Sequence, residues 1–204
     1  HKLHIRKYAL HTKIVLITSL ILIIGPSILF LILERHALFA DMNTPQAILN
    51  ALFCAVTPRT AGFNTTDIAS LSQSSQLLTI ILMFIGGCPG STAGGAKVTT
   101  ITVLILYLRS MLTRTDGINI FKRRLEDEAV SKAAAVFTTH MLLAVAATFL
   151  ISMQQDLDLT VIVFDVVSAV STVGMSTGIT PHLVPGAKVI LILLMYLGRV
   201  GSLS

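Results

Sequence analysis

Two four-residue stretches carry the chemistry this sequence suggests. Thr60-Ala61-Gly62-Phe63 and Thr172-Val173-Gly174-Met175 share a Thr-x-Gly pattern, and each follows a short apolar segment, at 45–56 and 159–171. Segments of about a dozen residues are too short to cross a bilayer and suit helices that dip in and stop. Gly62 and Gly174 lack the Cβ that hinders unusual dihedrals, so consecutive carbonyls can point toward one axis. Rings of such carbonyls replace the hydration shell of a monovalent cation. The C-terminus of each dipping helix adds about half a negative charge, which favours a cation beside it. A lone T-x-G is more simply a tight turn; its recurrence at corresponding places favours the ion-binding reading.

The next unusual stretch is FIGGCPGSTAGGAK, residues 84–97, which places five glycines, a proline and a lysine between the apolar runs LLTIILM and VTTITVLILYL. A nucleotide-binding P-loop is disfavoured, because that motif follows a β-strand and Gly95-Ala96-Lys97-Val98 breaks its spacing inside a membrane segment. Gly86, Gly90 and Gly94 are spaced four apart like a helix-packing face, but Pro89 and the glycine content disfavour a continuous helix. The segment therefore reads as a break in a membrane helix, its exposed backbone tolerable only where it lines a wet cavity.

The composition demands a membrane setting. Apolar residues make up 53% of the 204 and charged residues only 12%, with a mean hydropathy of +0.82, against about a quarter charged in soluble domains. Residues 14–33 and 133–153 read as full spans. The first has no small-residue cleavage site after it, so it is not taken as a signal peptide. Ten of the fifteen Lys and Arg lie in two stretches: Lys2, Arg6, Lys7 and Lys13, then Arg109, Arg114, Lys122, Arg123, Arg124 and Lys132. The positive-inside bias places both, and the N-terminus, in the cytoplasm. Asp116, Glu126, Asp127 and Glu128 make the second stretch a mixed, solvated surface rather than a track for nucleic acid. Cys54 and Cys88 are expected as buried thiols, not a disulfide framework. The absence of Trp has no explanation in these terms.

The plan of span, short helix, turn and span occurs twice, the later long runs being 77–108, interrupted at 84–97, and 187–200. Laid on itself so that position 60 falls on position 172, the chain matches Thr60-Ala61-Gly62-Phe63-Asn64-Thr65 with Thr172-Val173-Gly174-Met175-Ser176-Thr177. In the same ungapped register Ile81-Leu82-Met83-Phe84-Ile85-Gly86 falls on Leu193-Leu194-Met195-Tyr196-Leu197-Gly198. Both units then run in the same direction, as parallel repeats about an axis along the membrane normal.

TPRTAGFNT (57–65), GGCPGSTAGGAKVTT (86–100), STVGMSTGITP (171–181) and GRVG (198–201) resemble the third and fourth repeats of the Trk/Ktr/HKT superfamily of potassium transporters. The likeness is greatest to the Ktr-type bacterial membrane subunit and covers nearly the whole chain. It implies an all-α integral membrane fold of two parallel M1–pore helix–M2 repeats, half of a four-repeat pore. The expected units are 1–110 with the intramembrane loop 86–97, a cytoplasmic linker 111–130, and 131–204 truncated in its last helix, with further chain on either side. Thr60, Ala61, Gly62 and Phe63 with Thr172, Val173, Gly174 and Met175 become two quarters of a selectivity filter, with potassium at Thr60, Ala61, Gly62, Thr172, Val173 and Gly174. Gly86, Gly87, Pro89, Gly90, Ser91, Thr92, Gly94, Gly95 and Lys97 become an intramembrane gate that acts with a pore arginine, Arg199. Cys88 stands where the family suggests Ser. The resemblance also implies potassium as the transported substrate, a homodimer in the plasma membrane and a cytosolic nucleotide-binding regulatory ring; no organic cofactor is expected on this chain, and sodium stays open as a permeant or coupled ion.

Arg199 either snorkels from a helix end or faces the cavity, a cation at the bilayer centre costing about 2.5–3.5 kcal/mol. Asp165 either pairs with Arg199 or Arg59, or accepts hydrogen bonds behind the filter. His140 is expected to donate between helices rather than to relay protons, and Thr44 to cap a helix with Pro45 at its first position. His1, His4 and His11 lack partners at metal-ligand spacing and read as surface. A non-transporting scaffold with a degenerate pore is the competing function, while an enzyme is not supported by any nucleophile–base pair or metal constellation.

Overall fold

The computed structural model describes residues 10–88, 94–113, 119–120, 123–124 and 127–200. Among them are α1 (Leu10–Leu33), α2 (Thr44–Val56), α3 (Gln73–Phe84), α4 (Val98–Thr113), α5 (Asp127–Ser152), α6 (Leu159–Val170) and α7 (Pro185–Val200). Two-residue strands between α4 and α5 pair antiparallel, Asn119 opposite Arg124 and Ile120 opposite Arg123.

Val15–Leu33 and Glu128–Ser152 are long and apolar enough to cross a bilayer. Leu20, Ile21 and Ile32 of α1 and Leu142, Val145 and Phe149 of α5 are exposed, as side chains facing lipid would be. Pro26 lies within α1; beside it Ser27 Oγ donates to the Ile23 carbonyl at 2.7 Å, the kind of side-chain bond that restores satisfaction around a proline in a span.

The two short helices differ in environment. α6 is enclosed by α3, α5 and α7, and Ile162 and every residue from Phe164 to Val170, Asp165 included, are buried. α2 packs mainly on α1 and leaves Ile48, Leu49, Leu52 and Val56 exposed along one side. Asn43, in extended conformation, takes the cap position of α2 without a side-chain hydrogen bond, and Thr44 lies one step inside the helix. That corrects the expected cap by one position.

α3 starts at a buried acid that sequence reading overlooked. Glu34, just past the C-terminal end of α1 and 0% exposed, accepts from Ser72 N at 3.0 Å and Ser72 Oγ at 2.6 Å, and from Leu38 N at 3.4 Å. Ser72 is itself the N-cap of α3. Burial pushes the Glu34 carboxyl up, but hydrogen bonds from Ser72, Ser75 and Leu38 outweigh it and hold the group below its ordinary value. The carboxylate thereby fixes the start of the helix that carries the glycine-rich segment.

Candidate functional site

The turn after α2 is bonded back onto the helix end. Ala61 N and Gly62 N donate to the Thr57 carbonyl at 3.1 and 3.3 Å, and Thr57 Oγ1 donates to the Phe63 carbonyl. After α6, Thr172 N donates to Ala169 O at 3.1 Å and Val173 N to Ser168 O at 2.9 Å. In both turns the threonine and the glycine are left-handed, with φ of 66° at Thr60 and 75° at Gly62, and 54° at Thr172 and 87° at Gly174; the residue between them is not. Left-handed backbone is a genuine outlier for a β-branched residue. Each such residue stores about 1–3 kcal/mol, and such strain clusters at functional sites.

The two turns touch. A Cβ on Gly62 would collide with the Val173 carbonyl oxygen, so both φ and close approach require glycine there. Behind the second turn, Asp165 accepts from Ser176 Oγ and Thr180 Oγ1 at 2.9 Å each, from Thr177 N at 3.1 Å and from Thr177 Oγ1 at 3.3 Å. Of the two readings for Asp165, the structure favours the acceptor behind the turn. The matching position in the first unit is Phe53, so the first turn has no such carboxylate and relies on Thr57 instead.

The helix break after Phe84 is a loop with a hydrogen-bonded neck: Gly86 N donates to Ala96 O at 2.8 Å and Val98 N to Gly87 O at 3.1 Å. Its far limb lies under the second turn. Gly94 N donates to Thr172 Oγ1 at 2.9 Å, and a Cβ at Gly94 would strike the Thr172 side chain and approach the Gly198 carbonyl to 3.1 Å. Pro89, Gly90, Ser91 and Thr92 lie outside the described residues, as do His1, His4 and the side chain of His11. Lys97 is half-buried immediately before α4.

Arg199 sits in the last turn of α7. With Asp165, Thr172, Gly174 and Met195 it lines a cavity of about 510 Å³. Its neighbour Gly198 is the residue that meets Gly94, so the arginine, the loop and the second turn converge. His140 corrects an expectation: Nδ1 donates to Val136 O of its own helix at 2.8 Å, and Nε2 is buried without a partner among the described residues.

This is the fold of a helical membrane protein. The chain belongs to the TrkH family, described as cation transport proteins, whose model matches residues 6–204. It is 38% identical over 205 residues to the potassium/sodium uptake protein NtpJ of Enterococcus hirae, covering 98% of this chain and 46% of that protein. It is 34% identical over 206 residues to the Ktr system potassium uptake protein B of Vibrio alginolyticus (100% of this chain, 44% of the relative). Against its Bacillus subtilis counterpart it is 33% identical over 201 residues (98% and 45%). The chain thus spans less than half the length of these relatives, none of which is named as an enzyme. The potassium transporter TrkH of Vibrio parahaemolyticus has the same fold, with a TM-score of 0.73 at 24% identity over 91% of this chain and 42% of that structure.

Proposed function

We propose that this chain forms half the pore wall of a potassium uptake protein. Potassium passes the carbonyls of Thr60, Ala61 and Gly62 and of Thr172, Val173 and Gly174, within filter quarters 60–63 and 172–175. The observation that carries this reading is the pair of left-handed Thr-x-Gly turns, in contact through Gly62 and Val173. A φ that is positive, then negative, then positive turns successive peptide planes in the way a carbonyl-lined passage needs.

In this reading residues 1–110 and 131–204 are the third and fourth M1–P–M2 repeats, joined by the linker 111–130. The exposed apolar side of α2, at Ile48, Leu49, Leu52 and Val56, would pack on the remaining half. Loop 86–97, with Gly86, Gly87, Gly94, Gly95 and Lys97 among its described residues, obstructs the passage below the second turn, and Arg199 adds a positive charge that opposes cations there. The names of the relatives support potassium as cargo, with sodium as a permeant or coupled ion. Ktr-system naming supports a multi-component assembly, here a homodimer with a cytosolic nucleotide-binding ring, in the plasma membrane with a cytoplasmic N-terminus.

The test is cation selectivity of the full-length protein carrying Gly62→Ser or Gly174→Ser. Both are expected to lose preference for potassium over sodium; unchanged selectivity in the two would overturn the filter assignment.

A further inference from the structure

We propose that Arg59, Ser19 and Cys88 form a latch that ties the first Thr-x-Gly turn to the near end of the glycine-rich loop. The proposal rests on the reading of that loop as a gate, and it makes Arg59 a positioning residue. Arg59 immediately precedes the left-handed Thr60. Its Nη2 donates to Ser19 Oγ on α1 at 3.3 Å, and the Ser19 hydroxyl lies 3.6 Å from the Cys88 thiol, either group able to donate. Cys88 is the first residue past the neck of the loop, which Gly86 and Gly87 close against Ala96 and Val98. At the adjacent position on α1, Thr18 Oγ1 lies 3.2 Å from Thr102 Oγ1 on α4. Adjacent residues of α1 therefore contact both the segment entering the loop and the helix leaving it.

The far end of the loop is held in a matching way. Ser171 is the counterpart of Arg59 in the second unit, immediately before the left-handed Thr172, and it abuts Gly95, where an added Cβ would come within 3.1 Å of Ser171 Oγ. The residue before each left-handed threonine thus faces one end of the same loop, Ser171 directly and Arg59 through Ser19. The two turns together clamp the loop.

The chemistry of the near end makes it releasable. Arg59 Nε is buried with no hydrogen-bond partner among the described residues, so the guanidinium is incompletely satisfied and the bond to Ser19 matters more for keeping it in place. Beyond Ser19 the link is a thiol, a weak donor and a weak acceptor. A hydroxyl at position 88 would strengthen the link, and a methyl would remove it. Near-isosteric substitutions at one position therefore have opposite predicted signs, which a merely structural role would not produce.

The experiment measures basal potassium flux through the full-length protein in vesicles. Ser19→Ala and Cys88→Ala should each raise it about two- to ten-fold, as expected for loss of one hydrogen bond, and Cys88→Ser should lower it. The double variant should raise flux by less than the product of the two single effects, because both changes cut the same Ser19–Cys88 contact. With Cys54 replaced by Ala, a membrane-impermeant maleimide applied from the cytoplasmic side should label Cys88 faster in Ser19→Ala and in Arg59→Lys. Unchanged flux in Ser19→Ala and Cys88→Ala, or single effects that multiply in the double variant, would overturn the latch. Deletion of residues 88–94 separates the two readings: if it raises flux while the single variants do not, the latch fails and the gate stands; if it leaves flux low, the gate itself fails.

Discussion

The Gly94 amide donates to Thr172 Oγ1 across 2.9 Å, so the side chain of a residue in the second Thr-x-Gly turn anchors the loop beneath it. Thr172→Val keeps the shape and removes the acceptor, which leaves the Gly94 N–H unpaired at a cost of about 1–3 kcal/mol. Basal cation flux of the full-length protein should rise about tenfold on that scale. Thr172→Ser, which keeps the hydroxyl, should stay near the parent. Equal flux in the two variants would dissociate the loop from the threonine.

Asp165 holds Ser176, Thr177 and Thr180 behind the same turn. Asp165→Asn exchanges one acceptor oxygen for a donor, which faces other donors and removes the fixed negative charge. Bonds to charged groups are worth about 1.5–3 kcal/mol each. Apparent potassium affinity, measured by concentration-dependent uptake, should weaken by at least about tenfold, with the protein still reaching the membrane.

Arg199 lines the cavity beside Thr172 and Gly174. Removal of its charge in Arg199→Ala should raise basal flux, and Arg199→Lys should keep it low. A fall in flux for the alanine variant would contradict the blocking role.

Glu34 gives a pH signature. Its carboxyl is held below the ordinary carboxylate value of about 4.3, so the folded state binds the proton less readily than the unfolded one. The resulting stability is complete above that ordinary value and is lost as pH falls through the lower folded value. Thermal unfolding of the purified full-length protein should show a drop in midpoint on acidification below about pH 4, attenuated in Glu34→Gln. At neutral pH that variant should itself be about 2 kcal/mol less stable, since a bond network to a charge is replaced.

Much of the architecture was legible because it depends on local patterns. The dozen-residue lengths of α2 and α6, the charge-free run within α1 and the glycines that mark the end of α3 at Phe84 are each readable within a window of one element. The internal match of Thr60 with Thr172 marks two equivalent turns, and Gly62 and Gly174 mark their unusual backbone, whereas the left-handed set of the two threonines has no signal in the sequence. What stayed hidden depends on distant partners. Glu34 meets Ser72 across 38 residues, and an acid at the end of a span looks like any interfacial charge; the serine pair Ser72 and Ser75 was the available signal. His140 looked outward to another helix because a histidine in a span suggests a partner, whereas the carbonyl one turn back was nearer. Arg59 reaches Ser19 over 40 residues, and no pattern in either segment indicates the other.

In the proposed reading Thr172 contributes backbone to one device and a hydroxyl to another. If a bound ion changes the set of that residue, it changes the free energy of releasing Gly94, and by thermodynamic linkage release of the loop changes ion affinity by the same factor. Occupancy of the passage and position of its obstruction would then be two readings of one equilibrium, so the permeant ion would itself act as an effector of the path it takes.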